Sequence, residues 1–191
     1  MIHLLHLSAE CAPMVAPSTM AAIVRVESGG NPLAMWNDST RSMVVPGNRA
    51  QAMRYLRQAM DAGQQVDVGL AQVDTENFAA YGLTLANVFD ACANLRAGAE
   101  ILSADYRKAK AVYGAGQLAL YHAFEAYNSG RLRGDALYAN RILNADGVSV
   151  PANFVVTNGV HGAGTAPTAA SYPQFRWRSA PDPQVRWTVL P

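Results

Sequence analysis

Four short polar side chains constrain this chain more than any other feature. Asn48, Asp74, Asp90 and Asp135 each precede a stretch with apolar residues at helical spacing. A side-chain oxygen at such a position accepts the orphan N–H groups of a helix's first turn. Behind Asn48, the residues Met53, Leu56 and Met60 share one face, and Gly63 supplies the stop. Asp74 leads a short helical segment through Phe78 and Ala79. Asp90 leads a longer one with the stripe Leu95, Ala99, Leu102 and Tyr106. Gly114 and Gly116 break the pattern. Leu120, Phe124 and Tyr127 then align on a further helix that Gly130 ends. Asp135 opens a last helix through Leu143, with Tyr138 and Ile142 on one side. A chain cut this way is expected to be mainly α. Residues 66–70 alternate and read as a short strand or an extended turn. Residues 41–47 read as a loop. No long parallel-strand pattern and no glycine-rich nucleotide loop is present.

Half of the 191 residues are hydrophobic and 15% are charged, which suits one buried core and excludes global disorder. A net charge of +1 gives no general drive toward nucleic acid or an anionic membrane. No apolar run is long enough to span a bilayer, so no transmembrane segment is expected. The first ten residues resemble a signal core interrupted by His3 and His6. They lack a basic leader and do not count as a working signal peptide. The two cysteines, Cys11 ahead of the first expected helix and Cys92 in mid-chain, leave two readings open. A disulfide closing so long a loop adds on the order of 4 kcal/mol in the chain-entropy model. Two buried thiols are the alternative.

Glu27 carries the strongest hint of chemistry. Met20, Ile23, Val24 and Glu27 stand at i, i+3, i+4 and i+7, so a carboxylate continues an apolar helix face. Gly29, Gly30 and Pro32 follow as a stop signal, which puts Glu27 in the last turn. Apolar surroundings and the negative end of the helix dipole both disfavour an ionised carboxylate. A carboxyl group kept protonated near neutral pH can serve as a general acid. The alternative is a glutamate that reaches out to water from a helix end.

Two further segments stand out. In Gly69-Leu70-Ala71-Gln72, a glycine allows close backbone approach and a glutamine offers both donor and acceptor. In Ala126-Tyr127-Asn128-Ser129-Gly130, Tyr127 continues a buried stripe and its phenol needs an internal hydrogen-bond partner, a role a carboxyl group can fill. Asn128 stands at the helix end. Asp67 and Asp74 flank the glutamine segment as candidates for a second acid; a turn residue and a helix cap are their expected roles. His122 reads as partly buried or at the surface. His3 and His6 share a helix face without other converging ligands, so no metal site is expected.

After Asp146 the character changes. Proline, glycine, threonine and serine rise and helical periodicity is lost. The chain thus divides into a domain over residues 1–146 and an extension over residues 147–191. The extension carries a small repeat, Pro173-Gln174-Phe175-Arg176-Trp177 and Pro183-Gln184-Val185-Arg186-Trp187. Alternating aromatic and arginine residues suit a peptide that docks on a partner; a strand folded back on its own domain is the alternative.

Taken in order, Glu27-Ser28, Gly69-Leu70-Ala71-Gln72 and Ala126-Tyr127-Asn128-x-Gly130 resemble the catalytic core of the soluble lytic transglycosylases, with Tyr138 on the following helix also fitting. The stretches Cys11-Ala12-Pro13, residues 66–70 and residues 88–95 resemble the transglycosylase subunit of type IV secretion systems. The resemblance implies a mainly α, goose-lysozyme-like domain with a short extended segment and a non-helical tail. It implies cleavage of the β-1,4 bond between N-acetylmuramic acid and N-acetylglucosamine in periplasmic peptidoglycan, with Glu27 as the single catalytic acid and no cofactor. It also implies that Ser28, Gly69, Leu70, Gln72, Tyr127, Asn128 and Tyr138 bind or frame the sugar, with Tyr127 orienting Glu27. Asn94 is expected to be structural. Ala71, where the family usually has methionine, is expected to leave a smaller wall beside the sugar. The expected partners are glycan strands and, through residues 147–191, secretion-channel subunits. A hydrolytic muramidase or chitin-degrading enzyme and a non-catalytic wall-binding assembly factor are the competing expectations.

Overall fold

In the computed structural model, residues 2–147 are described and divide into two units, one ending at Glu100 and one beginning at Ile101. The first unit opens with α1 (Ile2–Cys11) and α2 (Pro17–Glu27). Pro17 heads α2, where its missing N–H leaves nothing unsatisfied. Residues 19–24 of α2 are all buried, so this helix is covered on every side there. Part of that cover is α1, which packs against it. The opening residues expected to be an interrupted signal core are therefore helical. Cys11 ends α1 and does not precede the first helix, as the sequence had suggested. It is joined by a disulfide to Cys92, with the two Cα atoms 4.7 Å apart.

A small antiparallel sheet follows, in the order β2-β1-β3-β4, from β1 (Met35–Asn37), β2 (Ser42–Val44), β3 (Val66–Val68) and β4 (Val73–Asp74). β2 corrects the expectation of a loop over residues 41–47. Its three residues show no apolar alternation, since Ser42 and Met43 are exposed. Its pairing with β1, with Met35 opposite Val44, makes it a strand. Strand geometry sends alternate side chains to opposite faces. Met35, Val66, Val68 and Val73 point inward, each at most 1% exposed. On the other face the register lines up Met43, Trp36, Asp67 and Asp74, one from each strand.

Between the strands lies α3 (Arg49–Asp61), capped by Asn48, whose side chain accepts from the Gln51 N–H at 3.0 Å. A single 3₁₀ turn (Thr75–Asn77) follows β4, with Asp74 as its cap. Then comes α4 (Ala91–Tyr113), whose first turn donates from Ala93 N–H to Asp90 at 2.9 Å.

The second unit continues with α5 (Gln117–Ser129) packed on α6 (Ala136–Ala145). Gly130 ends α5 in the left-handed region at φ +70°, and its N–H reaches the Ala126 carbonyl at 2.7 Å. Asp135 caps α6 by accepting from the Tyr138 N–H at 2.9 Å. His122, expected to be partly buried or at the surface, is buried. It is 4% exposed, 2.5 Å from the Glu125 carboxylate and stacked on Tyr113 at 4.1 Å between centroids. Among the described residues, no helix is long and apolar enough to cross a membrane. Residues 148–191, with the Pro-Gln-x-Arg-Trp repeat, lie outside the described residues.

Candidate active site

The end of α2 is where the first unit gathers its chemistry. Glu27 is the last helical residue and is half-buried. The chain leaves the helix through Gly29 at φ +61° and Gly30 at φ +86°, a left-handed pair that side chains resist. Ser28 holds the exit. Its hydroxyl donates to the Leu70 carbonyl at 2.8 Å and accepts from the Gly30 N–H at 3.2 Å. One hydroxyl thus binds the glutamate segment to the glycine-leucine-alanine-glutamine segment, 42 residues away in sequence.

That second segment is a tight loop between β3 and β4. Gly69 sits at φ +84°, and its N–H donates to the Ala34 carbonyl at 2.8 Å. A Cβ there would come within 2.5 Å of the Asn94 side-chain nitrogen, so glycine is required for space as well as for conformation. Asn94, 1% exposed, clamps the loop from α4. It accepts from the Ala71 N–H at 2.8 Å and donates to the Val68 carbonyl at 2.9 Å. Gln72 is held in the left-handed region at φ +46°, uncommon outside glycine. Its amide nitrogen donates to the carbonyls of Gly69 at 2.7 Å and Ala34 at 3.0 Å. Ala71 is fully buried, so its methyl belongs to the interior and forms no groove wall, against expectation.

Carboxylates crowd the outer face of the sheet. Asp67 is the middle residue of β3 and not a turn residue, which corrects the sequence reading; Asp74 is a cap as expected. The alternation of residues 66–70 left strand and turn open, and the β1 and β4 pairings put Asp67 within a strand. Carboxylate oxygens of Asp38, Asp67 and Asp74 lie within 4.8 Å of one another. Burial first, then the charges of Asp38, Asp74 and Glu27, push the Asp67 carboxyl up to about 8. Asp74 is also raised, mainly by burial. Asp38 was missed by sequence reasoning because its place in this group follows from the β1–β3 register.

The remaining candidates belong to the second unit. Tyr127 is half-buried on α5, and its ring stacks on that of Tyr138 with centroids 6.4 Å apart. Tyr138 is 1% exposed, so its ring backs Tyr127 and offers no open surface to a sugar. Asn128 is exposed and its amide donates to Asp135 at 3.1 Å, which ties the end of α5 to the cap of α6.

Comparison with known proteins agrees with this layout. The transglycosylase SLT domain family matches residues 5–141. Over 149 residues, covering 77% of this chain and 62% of the relative, the sequence is 38% identical to protein virB1 of Rhizobium radiobacter. Over 135 residues, covering 70% of this chain and 57% of the relative, it is 41% identical to type IV secretion system protein virB1 of Brucella abortus biovar 1 (strain 9-941). The matched stretch thus spans about three fifths of the length of these curated relatives. No solved structure matches the chain. The family's match runs from within α1 into α6 and takes in all three motif segments, and the chain belongs to the transglycosylase SLT domain family.

Proposed function

We propose that this protein is a peptidoglycan lytic transglycosylase with Glu27 as its single catalytic acid. The observation that carries the reading is the half-buried carboxyl ending α2, fastened through Ser28 to the Gly69–Gln72 loop. Glu27 protonates the glycosidic oxygen between N-acetylmuramic acid and N-acetylglucosamine as an oxocarbenium-like centre develops on the muramic carbon. The C6 hydroxyl of the same muramic residue then attacks that carbon and gives its proton to the ionised Glu27. The glutamate ends as it began, no water is consumed, and the product is a 1,6-anhydromuramic end. Ser28, Gln72 and the Gly69–Leu70 backbone frame the sugar. Within the second unit, Tyr138 stands behind Tyr127 and Asn128 shapes the end of α5.

The raised Asp67 carboxyl favours this route over hydrolysis. A two-carboxylate hydrolase needs an ionised second group to activate water or stabilise the cation. Burial and the charges of Asp38, Asp74 and Glu27 push the Asp67 carboxyl up to about 8, which disfavours its ionised form for either task, and burial raises Asp74 in the same direction.

The relatives' names support a role in type IV secretion, in which the enzyme opens the wall locally for assembly of the channel. The Cys11–Cys92 disulfide supports the periplasm, since such bonds persist in oxidising compartments. Residues 147–191 form the partner-binding extension; deleting them abolishes binding to channel subunits and spares wall lysis. The test of the catalytic reading is product analysis on purified peptidoglycan. Wild type releases anhydromuramic ends and Glu27→Gln releases them about 10²–10⁴-fold more slowly.

A further inference from the structure

The outer face of the sheet carries a feature that the cleavage chemistry leaves unused. Trp36 is 37% exposed and Met43 73% exposed, and the two are directly paired across β1 and β2. Side chains opposite one another in an antiparallel pair lie on the same face and touch. The row then continues through Asp67 to Asp74. The indole is held in place, because its Nε1–H donates to the Asp38 carboxylate at 3.1 Å. Asp38 in turn belongs to the same carboxylate group as Asp67 and Asp74. An apolar aromatic platform therefore merges, without a break in the row, into hydrogen-bond acceptors.

Continuity with the Glu27 site identifies the occupant. Asp67 is opposite Trp36 in the register and lies close enough to Glu27 to feel its charge. The loop that follows β3 is fastened to Ser28, the residue after Glu27. A polymer lying on Glu27 is thus led across the sheet toward Trp36. Sugar rings match this surface: their axial C–H groups pack on an aromatic face while hydroxyl and acetamido N–H groups donate to carboxyl oxygens. A ring without a lactyl substituent lies flattest on an indole.

We propose that Trp36, with Met43 beside it, forms a stacking subsite for an N-acetylglucosamine ring of the glycan strand cleaved at Glu27. The proposal rests on the reading of Glu27 as the residue that cleaves a glycan. Trp36 is here a binding residue that holds the strand and takes no part in proton transfer.

The test uses the full chain. The sequence has three tryptophans, so Trp177→Phe and Trp187→Phe leave Trp36 as the sole indole. In that background with Glu27→Gln, titration with a β-1,4-linked hexamer of N-acetylglucosamine gives a saturable change in indole fluorescence, with matching heat by calorimetry. In the active chain, Trp36→Ala raises KM on purified peptidoglycan about 3- to 10-fold with a much smaller change in kcat, and Trp36→Phe recovers most of the loss. An indole that stays silent while calorimetry records hexamer binding overturns the subsite and leaves the Glu27 reading intact. Absence of both signals overturns it as well. Fluorescence that follows protein concentration in place of hexamer means that the face pairs two copies of the chain, and this also overturns it. If the indole responds but Glu27→Gln still cleaves wall at the wild-type rate, the subsite stands and the catalytic reading is the one that fails.

Discussion

Glu27 and Asp67 are two carboxyls that feel one another's charge but occupy different elements, and their substitutions separate their roles. Glu27→Gln keeps the shape and the hydrogen-bonding reach of the side chain but cannot give up a proton. Turnover should fall by about 10²–10⁴ while the melting temperature holds, which paired rate and thermal measurements check. Tyr127→Phe removes one hydroxyl and should cost about 10-fold in rate. Asp67 bears on stability. Its folded-state carboxyl is raised from 3.8 to about 8, so the folded chain holds that proton more tightly than the unfolded chain. That contribution is fully present below about pH 4 and is lost as pH climbs toward 8. Asparagine cannot ionise, so Asp67→Asn should match wild type near pH 4 and melt roughly 2–5 °C higher at pH 9. A melting series against pH reads this directly. Glu27 was legible in the sequence because local signals suffice: an apolar face at helical spacing and a glycine stop. The surroundings of Asp67 were not, because Asp38 and Asp74 meet it only through cross-strand pairing that no local pattern encodes.

At the level of elements, the fold invests most in the loop between β3 and β4. A left-handed glycine, a left-handed glutamine and a buried asparagine from α4 all serve to fix four residues. Asn94→Ala leaves the Ala71 N–H and the Val68 carbonyl without their partner in a buried place. The expected loss is roughly 2–4 kcal/mol of stability, checked by denaturant unfolding, with a loss of activity as the loop slackens under Ser28. The helices were readable from their ends. Asn48, Asp90 and Asp135 all accept from first-turn N–H groups in the structure, as the sequence indicated. The strands were less so. β1 and β2 have three residues each, too few for alternation to stand out, and they exist through pairing with one another. α1 went unread because its two histidines suggested an interrupted leader. Its place is set by packing on α2 and by the bond from Cys11. His122 was misplaced for a related reason: its burial depends on Tyr113 and Glu125 closing over it, not on its position in a stripe.

For the molecule as a whole, the covalent tie from Cys11 to Cys92 spans 81 residues and encloses Glu27, the sheet and the Gly69–Gln72 loop. Removing such a bond typically costs about 2–5 kcal/mol, so Cys11→Ser should unfold at clearly lower denaturant concentration than the oxidised wild type. Reduction of the wild type should produce the same shift. The sequence left disulfide and free thiols open because nothing local brings residues so far apart together; in the fold the end of α1 and the start of α4 meet at the Cys11–Cys92 bond, with the Cα atoms 4.7 Å apart. The central claim is that a sugar hydroxyl, and not water, completes the reaction that Glu27 begins. Mass spectrometry of the glycan fragments released from purified peptidoglycan tests it most directly. The account predicts 1,6-anhydromuramic ends from the wild type and about 10²–10⁴-fold slower release from Glu27→Gln. Fragments ending in reducing muramic acid, 18 Da heavier by the one water gained, would contradict it.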